Sequence, residues 1–172
     1  MSRMSSCVQS TIRHVKDVVE AINAINDHVC DMSVEGRFVT CILAIVDTNK
    51  NTVERANAGH MSPIIRRADG SVEQFDEDIV GTPIGVLEDY PYASEIRELA
   101  PGDLMVLVTD GVDEAMNPAG DLYGGERLLD FVKRGPPSAE KLGKSLLGGV
   151  RRHANGRAQN DDITIMTFGR KR

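Results

Sequence analysis

An apolar segment, LMVLVTDGVDEA, changes abruptly into acidic residues between Leu104 and Ala115 and limits the folds this chain can adopt. Five of its first six residues are apolar, which predicts a strand whose two faces are both covered. Asp110 and Gly111 follow directly, so the strand is expected to end with a carboxylate at the edge of the sheet. The glycine would let the backbone turn sharply after this acid.

The segment QNDDITIMTF near the C-terminus shows the reverse order, because Asp161 and Asp162 precede a strand-like apolar run. In antiparallel neighbours, the end of one strand lies beside the start of the next, so Asp110 and Asp161 can meet at one sheet edge. Two facing carboxylates repel each other unless a cation lies between them, and Mg²⁺ or Mn²⁺ with oxygen ligands suits that place. Taken alone, the same residues also fit a turn and a strand cap, and the spacing leaves both interpretations open.

The periodicity of apolar residues predicts an α+β fold. Residues 4–30 have helical spacing, as one helix or as two with a break near His14–Asp17, where Asp17 can cap the second. The remaining elements are predicted, in chain order, as a strand over Gly36–Asp47, a return strand in VERANAGH, a hairpin with a two-residue turn at Asp69-Gly70, a loop in IVGTPIGV, a strand in YASEIREL, the strand ending at Asp110, helices in YGGERLLDFVKR and after Ser138, and a strand in DITIMTF. Strands cluster instead of alternating with helices, which favours antiparallel sheets over a parallel Rossmann-like sheet. No internal boundary is evident, so residues 1–172 are expected to form a single domain.

The net charge, the apolar runs and the cysteines of the chain argue against several classes of protein. The net charge of −6 argues weakly against a nucleic-acid partner, which needs a basic surface. No apolar run is long enough to predict a membrane span, and the first residues lack the apolar core of a signal peptide. The three cysteines, Cys7, Cys30 and Cys41, have no metal-ligand spacing, and their odd number favours a reduced, cytoplasmic protein. The acidic loops do not have the spacing of an EF-hand calcium site.

Several motifs occur together in one order, namely RFVTCILAIVD, ANAGHMSPIIRR, GTPIGV, LAPGDLMVLVTDGVDEAMNP, YGGERL and NDDITIMTF. Each is weak alone, but in this order they resemble the SpoIIE/RsbU-type branch of the metal-dependent serine/threonine phosphatases of the 2C type, from about Arg37 to Phe168. The resemblance implies an antiparallel β-sandwich flanked by helices. It also implies that water activated between two Mn²⁺ or Mg²⁺ ions hydrolyses phosphoserine or phosphothreonine. The implied substrate is a phosphorylated regulatory protein, such as an anti-sigma-factor antagonist.

The resemblance also implies roles for individual residues. Asp110 of TDG and Asp161 of NDDIT match metal-ligand aspartates of the family. Asp162 matches a weaker or more distant ligand, and Gly111 matches the turn of the TDG motif. A structural role is implied for the residues of the NAGH signature, which are Asn57, Gly59 and His60.

Two acidic motifs of the complete family domain, a G-D-x-x-D pair and a D-x-S-G-H-G segment, are absent from this sequence. Because its first residues match the helix that follows those motifs, we expect an N-terminally truncated domain without two strands and about half of the metal ligands. Weak metal binding and a homodimer through exposed sheet edges would follow. The leading hypothesis is the C-terminal portion of a phosphatase domain. The alternative is a catalytically deficient member or fragment that binds phosphoproteins.

Overall fold

The computed structural model describes residues 2–32 and 38–170. The helices of this part of the chain are α1 (Ser2–His14), α2 (Val18–Met32), α3 (Asp110–Asp113), α4 (Gly125–Arg134) and α5 (Ala139–Ala154). Its strands are β1 (Cys41–Asp47), β2 (Thr52–Ala58), β3 (Ile64–Arg66), β4 (Val72–Gln74), β5 (Ser94–Glu98), β6 (Leu104–Val108) and β7 (Ile165–Gly169). They group into two compact units, Met1–His60 with Asp76–Glu98 and Met61–Phe75 with Leu99–Arg172.

The first unit begins with the two helices that the sequence left as one or two. The break is real, because the Asp17 carboxylate accepts hydrogen bonds from the backbone N–H groups of Val19 and Glu20, each at 2.9 Å. These bonds satisfy two N–H groups that the start of α2 would otherwise leave without acceptors. The buried face of α2 then packs on one apolar cluster, whose fully buried members are Val18, Ile22, Ile25, Ala56, Ala58, Ile84 and Tyr92.

The sheet of the first unit has the order β1-β2-β5 and is antiparallel throughout. The predicted β1–β2 hairpin is confirmed, and the Asp47 carboxylate closes it by accepting from the N–H groups of Asn49 at 2.9 Å and Lys50 at 3.0 Å. The strand predicted over Gly36–Asp47 begins only at Cys41. Residues 33–37 lie outside the described residues, and Val39 forms only an isolated bridge with Ile84.

The sheet of the second unit has the order β4-β3-β6-β7, again antiparallel. Val106 and Met105 of β6 are both buried, and successive side chains of a strand point to opposite faces, so β6 is covered on both faces as predicted. Helices α4 and α5 contribute to the core on one face, through Leu128, Val132, Leu142, Leu146 and Val150. The expected fold class, antiparallel sheets with flanking helices, is confirmed.

The β3–β4 hairpin differs from its prediction, because its turn contains three residues instead of two. Arg67 and Ser71 form the last pair, and the N–H of Gly70, whose φ is +92°, donates to the Arg67 carbonyl at 2.9 Å. A positive φ at the third turn residue is usual for a three-residue hairpin loop. A contact from outside the hairpin also supports the turn. The buried Asp103 carboxylate accepts from the Ala68 N–H at 2.9 Å and from Arg67 Nη1 at 2.7 Å, which holds the first turn residue in place.

Three further sequence predictions concern a membrane-spanning helix, the cysteines and the start of α5. No described helix is both long enough and apolar enough to cross a membrane. The three cysteines are free thiols. Helix α5 begins after Ser138 as predicted, but the Ser138 side chain forms no capping hydrogen bond.

Candidate functional site

The β6 and β7 strands bring the two acidic segments together. The strands are paired, with Val108 opposite Ile165, as the antiparallel prediction requires. Beyond this pair the Thr109 N–H still donates to the Thr164 carbonyl at 3.1 Å, and the side chain of Thr109 adds two further bonds. Thr109 Oγ1 donates to the Asp162 carbonyl at 2.8 Å and accepts from the Thr164 N–H at 2.9 Å. Strand β7 begins at Ile165, later than predicted from DITIMTF.

Gly111 lies against the backbone of the second acidic segment. A Cβ at this position would be 2.5 Å from the Asp162 carbonyl oxygen and 3.1 Å from the Asp161 carbonyl oxygen. Real Cβ atoms essentially never come that near, so any other residue would displace one of the two segments. Its φ is outside the left-handed region. The glycine is therefore required by close approach, which differs from the sharp turn expected after Asp110.

The three carboxylates of the site lie at the protein surface. Asp110 opens the short helix α3, and its Oδ1 accepts from the Gly111 N–H at 3.0 Å. Asp161 Oδ1 accepts from the Asp162 N–H at 2.7 Å. None of the three forms an ion pair with a described residue.

Carboxylate oxygens are the ligands that Mg²⁺ and Mn²⁺ prefer, so these residues suit such an ion in chemical type. However, the number of grouped carboxylates is smaller than the number of ligands that such an ion needs. Within residues 2–32 and 38–170, no three or more His, Cys, Asp or Glu side chains are grouped closely enough to hold a metal ion. Asp110 and Asp161 are thus a possible part of a metal centre but not a complete one.

A cavity of about 280 Å³ lies directly beside Asp161. Gly111 and Asp161 form part of its wall, and the residues after α3 form another part, which includes the acidic Glu114. The end of α5 and the loop after it contribute the basic residues Arg151 and Arg157. Arg157 is held by a bond from Nη1 to the Asn117 carbonyl at 3.0 Å. The cavity therefore combines a mainly apolar wall with positive charge next to the acidic segment.

The NAGH signature belongs to the first compact unit, whereas both acidic segments belong to the second. The buried Asn57 side chain donates to the His60 carbonyl at 2.8 Å and accepts from the His60 N–H at 2.9 Å. Gly59 has a φ of +67°, and a Cβ there would lie 2.6 Å from Pro83 Cγ. The amide of Asn57 is thus used in closing its own turn, which supports the structural role predicted for Asn57, Gly59 and His60.

Sequence reasoning missed two residues that shape the second unit. The sequence pattern assigns no role to Thr109, although its hydroxyl joins the β6 and β7 segments. It also assigns none to Asp103, which is buried and bonded to three partners, including Arg67. The only sequence signal was that each polar residue directly flanks a buried strand.

Comparison with known proteins identifies the family. A family model described as Stage II sporulation protein E (SpoIIE) matches residues 1–171. Protein IcfG of Synechocystis sp. is 24% identical over 162 residues, which cover 90% of this chain and 25% of IcfG. The phosphoserine phosphatase RsbU of Bacillus subtilis is 25% identical over 158 residues, which cover 92% of this chain and 46% of RsbU. This chain therefore spans less than half the length of either curated relative.

Among solved structures, the SiaA-PP2C domain of Pseudomonas aeruginosa superposes with a TM-score of 0.79. The two sequences are 23% identical, and the match covers 96% of this chain and 67% of that one. At this level of identity the likeness shows the fold, while the family model covers nearly the whole sequence. The chain belongs to the SpoIIE family and has the fold of PP2C-type phosphatase domains.

Proposed function

We propose that residues 1–172 are the C-terminal portion of one metal-dependent protein phosphatase domain, which removes phosphate from phosphoserine or phosphothreonine. One observation carries the proposal most directly. Gly111 joins the Asp110 turn to the Asp161–Asp162 backbone so closely that a Cβ would be only 2.5 Å from Asp162 O. This contact keeps two acidic segments adjacent at one sheet edge, although they are distant in sequence.

In this proposal Asp110 and Asp161 hold Mn²⁺ or Mg²⁺, and Asp162 is a weaker or more distant ligand. When bound, such an ion lowers the pKa of a coordinated water and offsets the negative charge of a phosphate. The other residues of this site position the carboxylates. Thr109 hydrogen-bonds to the segment that contains Asp162, and Gly111 lets that segment lie close to the turn of Asp110. Because the described residues offer fewer than three grouped ligands, the remaining ligands must come from outside them.

The proposed substrate is a phosphorylated regulatory protein, such as an anti-sigma-factor antagonist, in the cytoplasm. The relative RsbU is itself described as a phosphoserine phosphatase, which supports this class of substrate. The cavity beside Asp161 suits an apolar residue that flanks the phosphorylated one, because its wall is mainly apolar and its two arginines, Arg151 and Arg157, are matched by Glu114 and Asp161.

The proposal includes a homodimer formed through a sheet edge. Within the described residues β1 pairs only with β2, so its other side is an edge. Ile45 and Val46 in this strand are 40% and 39% exposed. An exposed apolar edge strand is a template for pairing with a second chain.

The test is hydrolysis of a phosphoserine peptide by this chain, with Mn²⁺ and with a chelator. We expect weak metal-dependent turnover, because the remaining ligands must come from outside the described residues, and a fall of about 100-fold or more in Asp110→Asn, as for removal of other essential catalytic groups. Asp130→Asn is the matched control, because it makes the same change of charge at an exposed position of α4. Equal turnover in Asp110→Asn and the control would exclude Asp110 from the reaction.

A second function, phosphoprotein binding without hydrolysis, is favoured by the small number of grouped ligands. It predicts no turnover with any divalent ion, together with peptide binding that a chelator leaves unchanged. Fluorescence anisotropy of a labelled phosphopeptide, measured beside its unphosphorylated form, distinguishes the two functions. Metal-dependent turnover by this chain would exclude the second.

A further inference from the structure

Arg66 is a buried cation in the second compact unit. It ends β3, the strand between β4 and β6, and it lies on the same face as Ile64, which belongs to the core beneath α4 and α5. Only 7% of its surface is exposed. Its Nε and Nη1 atoms are buried and have no hydrogen-bond acceptor among the described residues. Burying a guanidinium whose N–H groups have no acceptor lowers the stability of the fold, so a hydrogen-bond acceptor for Arg66 is expected.

The nearby acids do not supply that acceptor. Asp69 is near enough that Arg66 helps to lower its pKa, but hydrogen bonds from Ser71 are the main cause. Asp69 Oδ1 accepts from the Ser71 N–H at 2.8 Å and from Ser71 Oγ at 2.7 Å, and it forms no ion pair with Arg66. Glu140 is paired instead with Lys144 at 2.5 Å. The charge of Arg66 thus remains without a close counter-charge from these groups.

Arg66 lines a cavity of about 770 Å³, and the N-terminus of α5 forms another part of the wall. Ser138, Ala139 and Glu140 are the residues of this helix start that line it. Helix α5 has 16 residues, so its N-terminus carries a substantial partial positive charge. Because Ser138 forms no side-chain cap, the first N–H groups of the helix are not satisfied by that residue. The other charged residues that line the cavity are Arg170 and Asp69, whose carboxylate is bonded to Ser71.

We propose that this cavity binds a tetrahedral oxyanion of the phosphate class. Arg66 provides a buried guanidinium, and the start of α5 provides backbone N–H donors, which together form a recurrent arrangement for binding phosphate. The ligand is either free phosphate or a small phosphate monoester, which share this chemistry.

The cavity is distinct from the candidate metal centre. Arg66 pairs with Leu104, the first residue of β6, whereas Asp110 follows the last. Four residue steps along a strand span about 13 Å, so the two sites occupy opposite ends of β6. The inference therefore stands whether or not the chain is a phosphatase.

The test is calorimetric titration of the chain with inorganic phosphate and, separately, with O-phosphoserine, in the presence of a chelator. The chelator removes divalent metal, so binding cannot arise from product at the candidate metal centre. We expect saturable binding to the unmodified chain and at least about tenfold weaker binding to Arg66→Gln, because a charge-assisted hydrogen bond is lost. Arg134→Gln is the matched control, since Arg134 is an exposed arginine whose side chain is 79% accessible. Asp110→Asn should also bind normally.

A second variant keeps the test decisive if Arg66→Gln does not fold. Ser138→Asp places a tethered carboxylate at the helix start, where aspartate is also a favourable cap. We expect it to fold, to have a raised melting temperature, and to lose phosphate binding. Tighter binding of inorganic phosphate would identify the free ion as the ligand class, and tighter binding of O-phosphoserine would identify a monoester. Absence of binding to the unmodified chain would overturn the proposal, and so would an affinity in Arg66→Gln or Ser138→Asp equal to that of the unmodified chain.

Discussion

Replacing Gly111 with alanine tests the closest contact in the candidate site. The added Cβ would lie 2.5 Å from the carbonyl oxygen of Asp162 and 2.9 Å from its carbonyl carbon. Both are backbone atoms, so the clash cannot be relieved by rotating a side chain. The turn after β6 and the segment before β7 must move apart, which also separates Asp110 from Asp161.

The loss in the free energy of unfolding of Gly111→Ala can be estimated from values measured for similar substitutions in other proteins. Overpacking of a well-packed site costs about 1–3 kcal/mol, and contact with backbone favours the upper half of that range. Replacing glycine by alanine restricts the unfolded chain, which returns about 0.4–1 kcal/mol. The free energy of unfolding should therefore fall by about 2 kcal/mol. For a chain of this size, that corresponds to a melting temperature lower by about 4–8 °C.

The assay is urea denaturation followed by circular dichroism, beside Gly125→Ala as the control. Gly125 opens α4, and a Cβ there would lie 3.6 Å from Asp113 Oδ1, an ordinary contact. The control should be neutral or stabilised by about 0.5–1 kcal/mol, because alanine favours helix. If Gly111→Ala were as stable as Gly125→Ala, the close approach of the two acidic segments would be refuted.

Three further predictions concern the surrounding structure. Asn57→Ala should lower the free energy of unfolding by about 2–3 kcal/mol, because the hydrogen bonds of Asn57 to the His60 N–H and carbonyl are lost; urea denaturation measures this, and an unchanged midpoint would contradict it. Asp103→Ala should cost about 2–4 kcal/mol in the same assay, because the N–H groups of Ala68 and Ala100 lose the buried carboxylate, while Arg67 stays paired with Glu73; a loss below about 1 kcal/mol would be inconsistent with that burial. Burial raises the pKa of Tyr92 above its ordinary value of 10.0, so its protonated form stabilises the fold below that pH and the contribution is lost as pH rises through the folded pKa. Tyr92→Phe should therefore weaken the decline of the melting temperature in alkaline solution, and an unchanged decline would contradict the assignment.

Much of the fold was predictable because local patterns determine it. The apolar and β-branched content of β1 and the turn chemistry of Asp47 specify the β1–β2 hairpin without help from distant residues. Asp17 likewise separates α1 from α2 through bonds to its own next turn. The pairing of β6 with β7 was also within reach, because acids at opposite ends of two apolar runs can meet when the runs are antiparallel neighbours.

The rest depends on contacts between residues that are distant in sequence. The Asp103 carboxylate, just before β6, accepts from the Ala68 N–H in the turn of the β3–β4 hairpin. The Thr109 hydroxyl bonds both Asp162 and Thr164 in the segment before β7. Arg66 could not be recognised as a buried cation, because its sequence neighbours are typical of a hairpin. Predicting such features requires knowing which distant chain segments are in contact, and the local periodicity of a sequence does not carry that information.

The most direct test of the candidate site is calorimetric titration with Mn²⁺ of the unmodified chain, Asp110→Asn, Asp161→Asn and the double variant. Asp130→Asn serves again as the charge control. If Asp110 and Asp161 hold one ion, each single variant should lose about tenfold or more in affinity. The double variant should then lose little beyond either single change, because residues that share a ligand are not additive. Binding that is unchanged in either single variant, or losses that simply add, would contradict a shared metal site.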